Sequence, residues 1–360
     1  MKNTVTAIEL SFIIFLVTIV GKLHALPSLL AGYADESLWV SVLICFAVDF
    51  ILLLLVLYIL NKIKGVSFYD ALCNYFGKFA GKVIAFIFVL FMIAKIFLPV
   101  LEQKNSIELT FYETQPSLFT FLPVYLILFY VSLKGLWAFS KSVNVIIWGL
   151  IVGVIIVLLL SLSATEFNHI LPLFAKPFKN VLNGSFKSAL WFGDPLYLLF
   201  FSKHVDKEEK INKKIIIAYI ISVLVYTVGL IIFYSVFENI AVRQYFAPLK
   251  MSKYSVTLSN IGRFDYLATL LIITANVYAL ALPLAIASNL LTQIFNFKNK
   301  YIAPLIVTII SLTLTIIFEH GFYANLDFCQ NYLVWFLMAV TYILPIITAL
   351  LLRRKHYERI

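Results

Sequence analysis

"ALWFGDPLYLLFF", residues 189–201, reads as the middle of a membrane span, since Trp191, Phe192, Leu196, Tyr197, Leu198, Leu199, Phe200 and Phe201 are all apolar or aromatic. Its centre nevertheless holds Gly193, Asp194 and Pro195: a flexible residue, a carboxylate and a helix breaker in a row. Inside hydrocarbon every backbone N–H and C=O must be bonded within the protein. Three residues so poorly suited to a helix in oil need a reason to be there.

The rest of the chain places that stretch in a bilayer. Of 360 residues, 62% are hydrophobic and 13% charged, against about a quarter charged in soluble proteins. A span takes about 20 mostly apolar residues, and ten segments qualify: about 8–32, 38–60, 83–111, 117–133, 142–164, 184–202, 213–237, 264–295, 301–318 and 331–352. The first run is too long and continuous for a cleaved signal peptide and is expected to be span 1. The three cysteines are scattered and odd in number, which points to free thiols. With the N-terminus assigned to the cytoplasm and charges at span ends counted with the adjoining loop, the inner side carries 18 Lys and Arg against 8 on the other side. This follows the positive-inside rule with both termini cytoplasmic. The net charge of +10 is therefore a topology signal, and a nucleic-acid partner has no support. No HExxH, CxxC, GxSxG or Walker pattern occurs, so no enzyme, cofactor or metal is expected.

The polar stretch 165–183 divides the ten spans into two sets of five, residues 1–164 and 165–360. Five is odd, so the second set enters the membrane from the opposite side: an all-α fold of two inverted five-helix repeats. Span 1 then corresponds to span 6. Span 1 contains "IVGKLHALPS" (19–28), with Gly21, Lys22, His24 and Pro27 interrupting it. Breaks in corresponding spans point to a binding site at the bilayer midplane. A simple proline kink is the plainer alternative for either span alone, and two matched breaks favour the site.

Four charges lie deep: Lys22, Asp49, Lys95 and Asp194. Each costs about 2.5–3.5 kcal/mol to insert unless paired or wet. For Asp49 a structural ion pair with Lys95 is at least as good a reading as a functional one. Lys95, on span 3 near Pro99, and Lys22 are open to binding a ligand carboxylate, to replacing a coupling cation, or to bridging Asp49 or Asp194. Asp194 is assigned to a ligand ammonium, or to pairing with Lys22 or Lys95 in an empty site. His24 is either a proton relay or a plain hydrogen-bonding residue. Glu9, Glu102, Asp265 and Glu319 lie near span ends and are expected at solvated boundaries. On span 8, Thr274, Asn276 and Tyr278 either touch ligand or join helices. The expected ligand site comprises Gly21, Lys22, His24, Lys95, Trp191, Phe192, Gly193, Asp194, Asn276 and Tyr278. Outside the spans, 64–82 has the pattern of a short interfacial helix, and 238–262 is open to folding over the outer mouth or meeting a partner.

Three stretches carry a family resemblance. "LPSLLAGYADESLWVSVLI" (26–44), "ILPLFAKPFKNVLNGSFKSALWFGDPLYLLFF" (170–201) and "IGRFDYLATLLIITANVY" (261–278) resemble signatures of the spore germination permeases, the B subunits of endospore germinant receptors. The similarity is collinear over essentially the whole chain. Two departures stand out: the family more often has Glu where Asp194 stands, and Lys22 is unexpected in the first break. The resemblance implies an amino acid–polyamine–organocation (LeuT-like) fold and sensing of a small nutrient, an amino acid by default. It also implies assembly with an A-type membrane subunit and a C-type lipoprotein in the spore inner membrane. A proton-coupled amino-acid permease is the competing reading.

Overall fold

The computed structural model describes residues 4–111, 117–205, 210–253 and 264–357. It is helical throughout, and among those residues the one β contact is a bridge between Val5 and Val205. Six helices are long and apolar enough to cross a membrane, and two shorter apolar helices, Ala7–Val20 and Ile302–Ile317, accompany them.

The first apolar run is two helices. Helix α1 (Ala7–Val20) opens with a capping box, in which the Glu9 amide bonds Thr6 Oγ1 and the Thr6 amide bonds the Glu9 carboxylate, satisfying two orphan donors. Non-helical backbone follows from Gly21, and α2 (Leu26–Ala34) starts afresh with Pro27 in its first turn, where a missing N–H costs nothing. Helix α3 (Leu38–Lys62) leads to α4 (Phe68–Phe76), the short helix expected within 64–82. It is capped by Ser67 and buries Phe68, Ala71 and Leu72. Gly77 (φ 88°) turns the chain into α5 (Lys78–Phe111).

Helix α6 (Ser117–Leu162) covers the fourth and fifth apolar runs. Gly135 (φ 77°, ψ 174°) divides it into two limbs, a conformation open to glycine at no steric cost. The second limb begins at 136, earlier than the expected 142. Helices α7 (Phe178–Ser188), α8 (Ile211–Phe237), α9 (Ala247–Lys253), α10 (Phe264–Phe295) and α11 (Ile302–Ile317) follow. The last run is α12 (Phe322–Phe328), α13 (Val334–Met338) and α14 (Leu344–Tyr357), joined by π turns at Cys329–Leu333 and Ala339–Ile343. Part of the 238–262 segment, and the first residues of the third family-like stretch, lie outside the described residues.

The sixth run departs from expectation. Its α-helix begins at Phe178 and ends at Ser188; residues 189–191 and 194–201 are 3₁₀, flanking Gly193. Every residue from 190 to 202 is buried. Irregular backbone is tolerated at membrane depth where protein covers it, and here α3, α1 and α10 do so. Helix α10 packs along both α5 and α6, and its run from Ala279 to Ala287 is entirely buried. The core therefore sits around α10 and the irregular segment.

Candidate functional site

A chain that leaves the helix inside its own core must find partners for the amides and carbonyls it frees. Charged and hydroxylated side chains supply them at both breaks. In the second break, Lys95 Nζ donates to the carbonyls of Leu190 (3.1 Å) and Phe192 (2.5 Å). Both oxygens of the Asp49 carboxylate accept the Gly193 amide, at 3.1 and 3.0 Å, and Tyr342 donates to Asp49 at 3.3 Å. In the first break, the Lys22 carbonyl accepts the Tyr226 hydroxyl (2.7 Å) and the His24 carbonyl accepts the Phe246 amide (3.1 Å).

Two expectations are corrected here. Asp49 and Lys95 do not pair with each other; each binds backbone of the second break, the one at an amide and the other at two carbonyls. Glu102 and Glu9 are not at solvated boundaries either. Glu102 is buried and accepts Trp191 Nε1 at 3.0 Å. Glu9 is buried and accepts Lys141 Nζ at 2.7 Å. Glu319 is reached by Lys104 at 3.5 Å, and the Asp265 side chain lies outside the described residues.

The two breaks are joined directly. Lys22 Nζ, from the first, forms an ion pair with Asp194 Oδ2, the opening residue of the second 3₁₀ segment. The ammonium also lies 4.8 Å from the centre of the Phe192 ring and 5.8 Å from that of Phe46, a favourable placement for a cation. Among the alternatives open for Asp194, the partner is Lys22 and not Lys95.

Beside this pair is a cavity of about 50 Å³. A cavity needs about 10–15 Å³ to hold one water, so this one has room for a few. Gly21, Lys95, Trp191, Asp194 and Asn276, five of the ten expected site residues, form part of its wall, along with Tyr197 and Leu337. Asn276 is buried; its Nδ2 donates to Gln103 Oε1 and approaches His24 Nε2 at 3.4 Å. Its Oδ1 is a buried acceptor without a partner among the described residues. Such an atom costs about 1–3 kcal/mol unless something in the cavity donates to it.

The other five expected residues are elsewhere. Lys22 is sealed behind Asp194, its side chain 0% exposed. Phe192 packs edge-on against Phe46, ring centres 5.0 Å apart. Gly193 is closed off by Thr341, whose Cγ2 would lie 2.7 Å from a Cβ at that position. His24 looks into a separate small space beside Ser106, Phe246 and Thr269. Tyr278 stacks on Phe139 (4.7 Å) and donates to its carbonyl (2.9 Å), fastening α10 to α6. We expect Tyr278→Phe to lower thermal stability by about 0.5–1.5 kcal/mol and to leave ligand response unchanged, read by melting with and without ligand.

Sequence reasoning missed Glu102, Gln103, Tyr197, Tyr226, Thr341 and Tyr342. The first two had a signal: Lys95 and Glu102 are seven residues apart, two helical turns, and so share one face of α5. The tyrosines had none, because a hydroxyl that reaches a distant carbonyl, as in Tyr226, or a carboxylate, as in Tyr342, looks like any aromatic in an apolar run. Lys95→Met is expected to strand two buried carbonyls at about 1–3 kcal/mol each. A melting temperature equal to that of the unsubstituted protein would show that the two carbonyls do not need the ammonium.

Comparison with solved structures finds the same overall fold in manganese transporters of Eremococcus coleocola. One variant, carrying a histidine-to-alanine substitution, has 12% identity and a TM-score of 0.66 over 95% of this chain and 78% of that one. Another, in complex with an aromatic bis-isothiourea substituted compound, has 12% identity and a TM-score of 0.63 over 96% and 84%. At that identity the likeness is one of fold. No curated protein matches the chain. The sequence profile described as "Spore germination protein" matches residues 4–322, which takes in both breaks, the ion pair and all of the cavity wall but Leu337. The chain belongs to the spore germination protein family of permeases, and it is a multi-pass membrane protein with a transporter-like fold.

Proposed function

We propose that the chain is the B-type subunit of a germinant receptor, and that a small nutrient, an amino acid by default, binds in the cavity between the two breaks. The observation that carries this is the cavity wall itself. Lys95, Asp194, Tyr197 and Asn276, the last with an unpartnered acceptor, line one small cavity in the core. Those groups suit a zwitterion: Lys95 has three N–H donors and gives two to backbone carbonyls, leaving one for a carboxylate. Asn276 Oδ1 suits an ammonium or hydroxyl. The cavity holds only a few waters, so ligand entry requires a more open conformation, and the ligand acts by preferring one of the two.

The ten apolar runs, with a break in the first and the sixth, support two inverted five-helix repeats over 1–164 and 165–360. The charge bias supports cytoplasmic termini. By the family resemblance, the partners are an A-type membrane subunit and a C-type lipoprotein in the spore inner membrane. The transporter-like fold keeps a second reading alive, a proton-coupled amino-acid permease.

Two measurements test these readings. Thermal melting of the purified protein against candidate nutrients should show a saturable rise, with about 2.7 kcal/mol of apparent stabilisation at 100 times the dissociation constant. Asn276→Leu should abolish that rise. A flat response across amino acids, sugars and nucleosides would sink the ligand-site reading. Uptake into liposomes containing this protein alone would favour the permease; germination that needs the A- and C-type partners without uptake would favour the receptor.

A further inference from the structure

Two of the four deep charges bond the unwound backbone, and a third stands in it. Asp49 accepts an amide, Lys95 donates to two carbonyls, and Asp194 opens the second 3₁₀ segment. Lys22 differs. Among the described residues its ammonium bonds no carbonyl; its partner is Asp194, and its other neighbours are the rings of Phe46 and Phe192. A carboxylate with two aromatic faces is what proteins use to hold a free ammonium group. Here the ammonium is supplied by the chain, from the opposite break, and it is 0% exposed. Asp194 thus stands between two spaces: its Oδ2 faces the sealed Lys22, and the residue forms part of the cavity wall.

We infer that Lys22 is a resident cation, which holds at Asp194 the place that a diffusing cation or a ligand's ammonium would otherwise take. A tethered group gives up little translational freedom on pairing, whereas a free one pays several kcal/mol. Its effective concentration exceeds that of any solute competitor. Displacing it would also move two packed rings. With Asp194 neutralised by Lys22, the charge left among the residues that line the cavity is that of Lys95, so the ligand is chosen by its carboxylate. Its amine, where it has one, meets the neutral acceptor of Asn276. The second half of this inference rests on the cavity being the ligand site; the first half does not.

The test is chemical replacement of the missing ammonium. Purified full-length Lys22→Ala is melted with increasing methylammonium, with sodium chloride at equal ionic strength as the salt control. A saturable rise of about 2–4 °C is expected for Lys22→Ala. No rise is expected for the unsubstituted protein or for Lys22→Ala combined with Asp194→Asn. A well-folded Lys22→Ala that ignores methylammonium overturns the proposal, as does an equal rise in the unsubstituted protein, which would make Lys22 displaceable. Should Lys22→Ala fail to accumulate, its abundance in membranes with and without methylammonium in the medium is the reading, and no recovery overturns it. The ligand half is read on the unsubstituted protein with propionate and ethylammonium: a rise with the acid alone supports it, and a rise with the amine overturns it. Methylammonium rescue of Lys22→Ala with no response to any carboxylate would leave the resident cation standing and remove the ligand-site reading.

Discussion

Gly193→Ala is expected to remove most of the folded protein from the membrane. Gly193 has φ 96°, where side-chain-bearing residues are strained by about 1–3 kcal/mol. A Cβ there would also lie 2.7 Å from Thr341 Cγ2 and 2.8 Å from Thr341 Oγ1. Thr341 is in the second π turn, held between α13 and α14, so it has little room to retreat. Overpacking of this kind adds about 1–3 kcal/mol. The sum is a large part of a stability that is ordinarily about 5–15 kcal/mol. The two contributions separate by experiment. Thr341→Ala in the Gly193→Ala background removes the atoms in the way and should restore part of the melting temperature, leaving the backbone strain. Immunoblots of membranes beside melting curves give both readings; Gly193→Ala at normal abundance and melting temperature would refute the steric account.

The same glycine shows what the sequence disclosed and what it hid. Gly193, Asp194 and Pro195 announce a break because each is costly in an oil-facing helix, and Gly21 with Lys22 and His24 announces the other. The composition discloses a helical membrane protein, and the spacing of apolar runs places most helix ends to within several residues, the sixth and last runs excepted. Hidden was the length of the irregular stretch. An apolar run such as "LYLLFF" reads as α-helix, yet residues 194–201 are 3₁₀, a choice made by the packing around them. The π turns near Cys329 and Ala339 were equally invisible, since nothing in "CQNYL" or "AVTYI" distinguishes them from α-helix.

The candidate site was half legible for a related reason. Glycines, prolines and charges at membrane depth are conspicuous, so Gly21, Lys95 and Asp194, which line the cavity, stand out in the sequence. Which way a side chain points is not conspicuous. Lys22 and Asp194 were both recognised as deep charges, but only three-dimensional packing decides that Lys22 is sealed away while Lys95 reaches the cavity. His24 and Tyr278 stand out for depth and chemistry, but the non-helical course of the first break turns His24 toward Phe246, and the face of α10 that carries Tyr278 packs on Phe139. Glu102 reads as a boundary residue because it is near a span end; α5 does end at Phe111, as expected, but the helix face that carries Glu102 turns it to Trp191 in the core.

Asp194→Asn is expected to deplete the protein, and removal of its partner's charge is expected to bring it back. The substitution leaves the Lys22 ammonium buried at 0% exposure with no carboxylate against it. Breaking a buried pair from one side costs about 3–5 kcal/mol, which at 1.4 kcal/mol per tenfold is a loss of about two to three and a half orders of magnitude in the folded-to-unfolded ratio. Replacing both members together is a different matter, because no charge then needs compensating and the desolvation cost disappears with it. Lys22→Met keeps an unbranched chain of similar length between Phe46 and Phe192. The double variant Lys22→Met with Asp194→Asn should therefore regain most of the abundance and melting temperature lost by Asp194→Asn. Methylammonium should do nothing for Asp194→Asn, whose surplus is already a cation. If instead the double variant is as depleted as Asp194→Asn, the carboxylate must serve the fold by some contact other than Lys22. If Asp194→Asn alone is present at normal levels, the pair contributes little, and Asp194 becomes free to be read as a ligand group only.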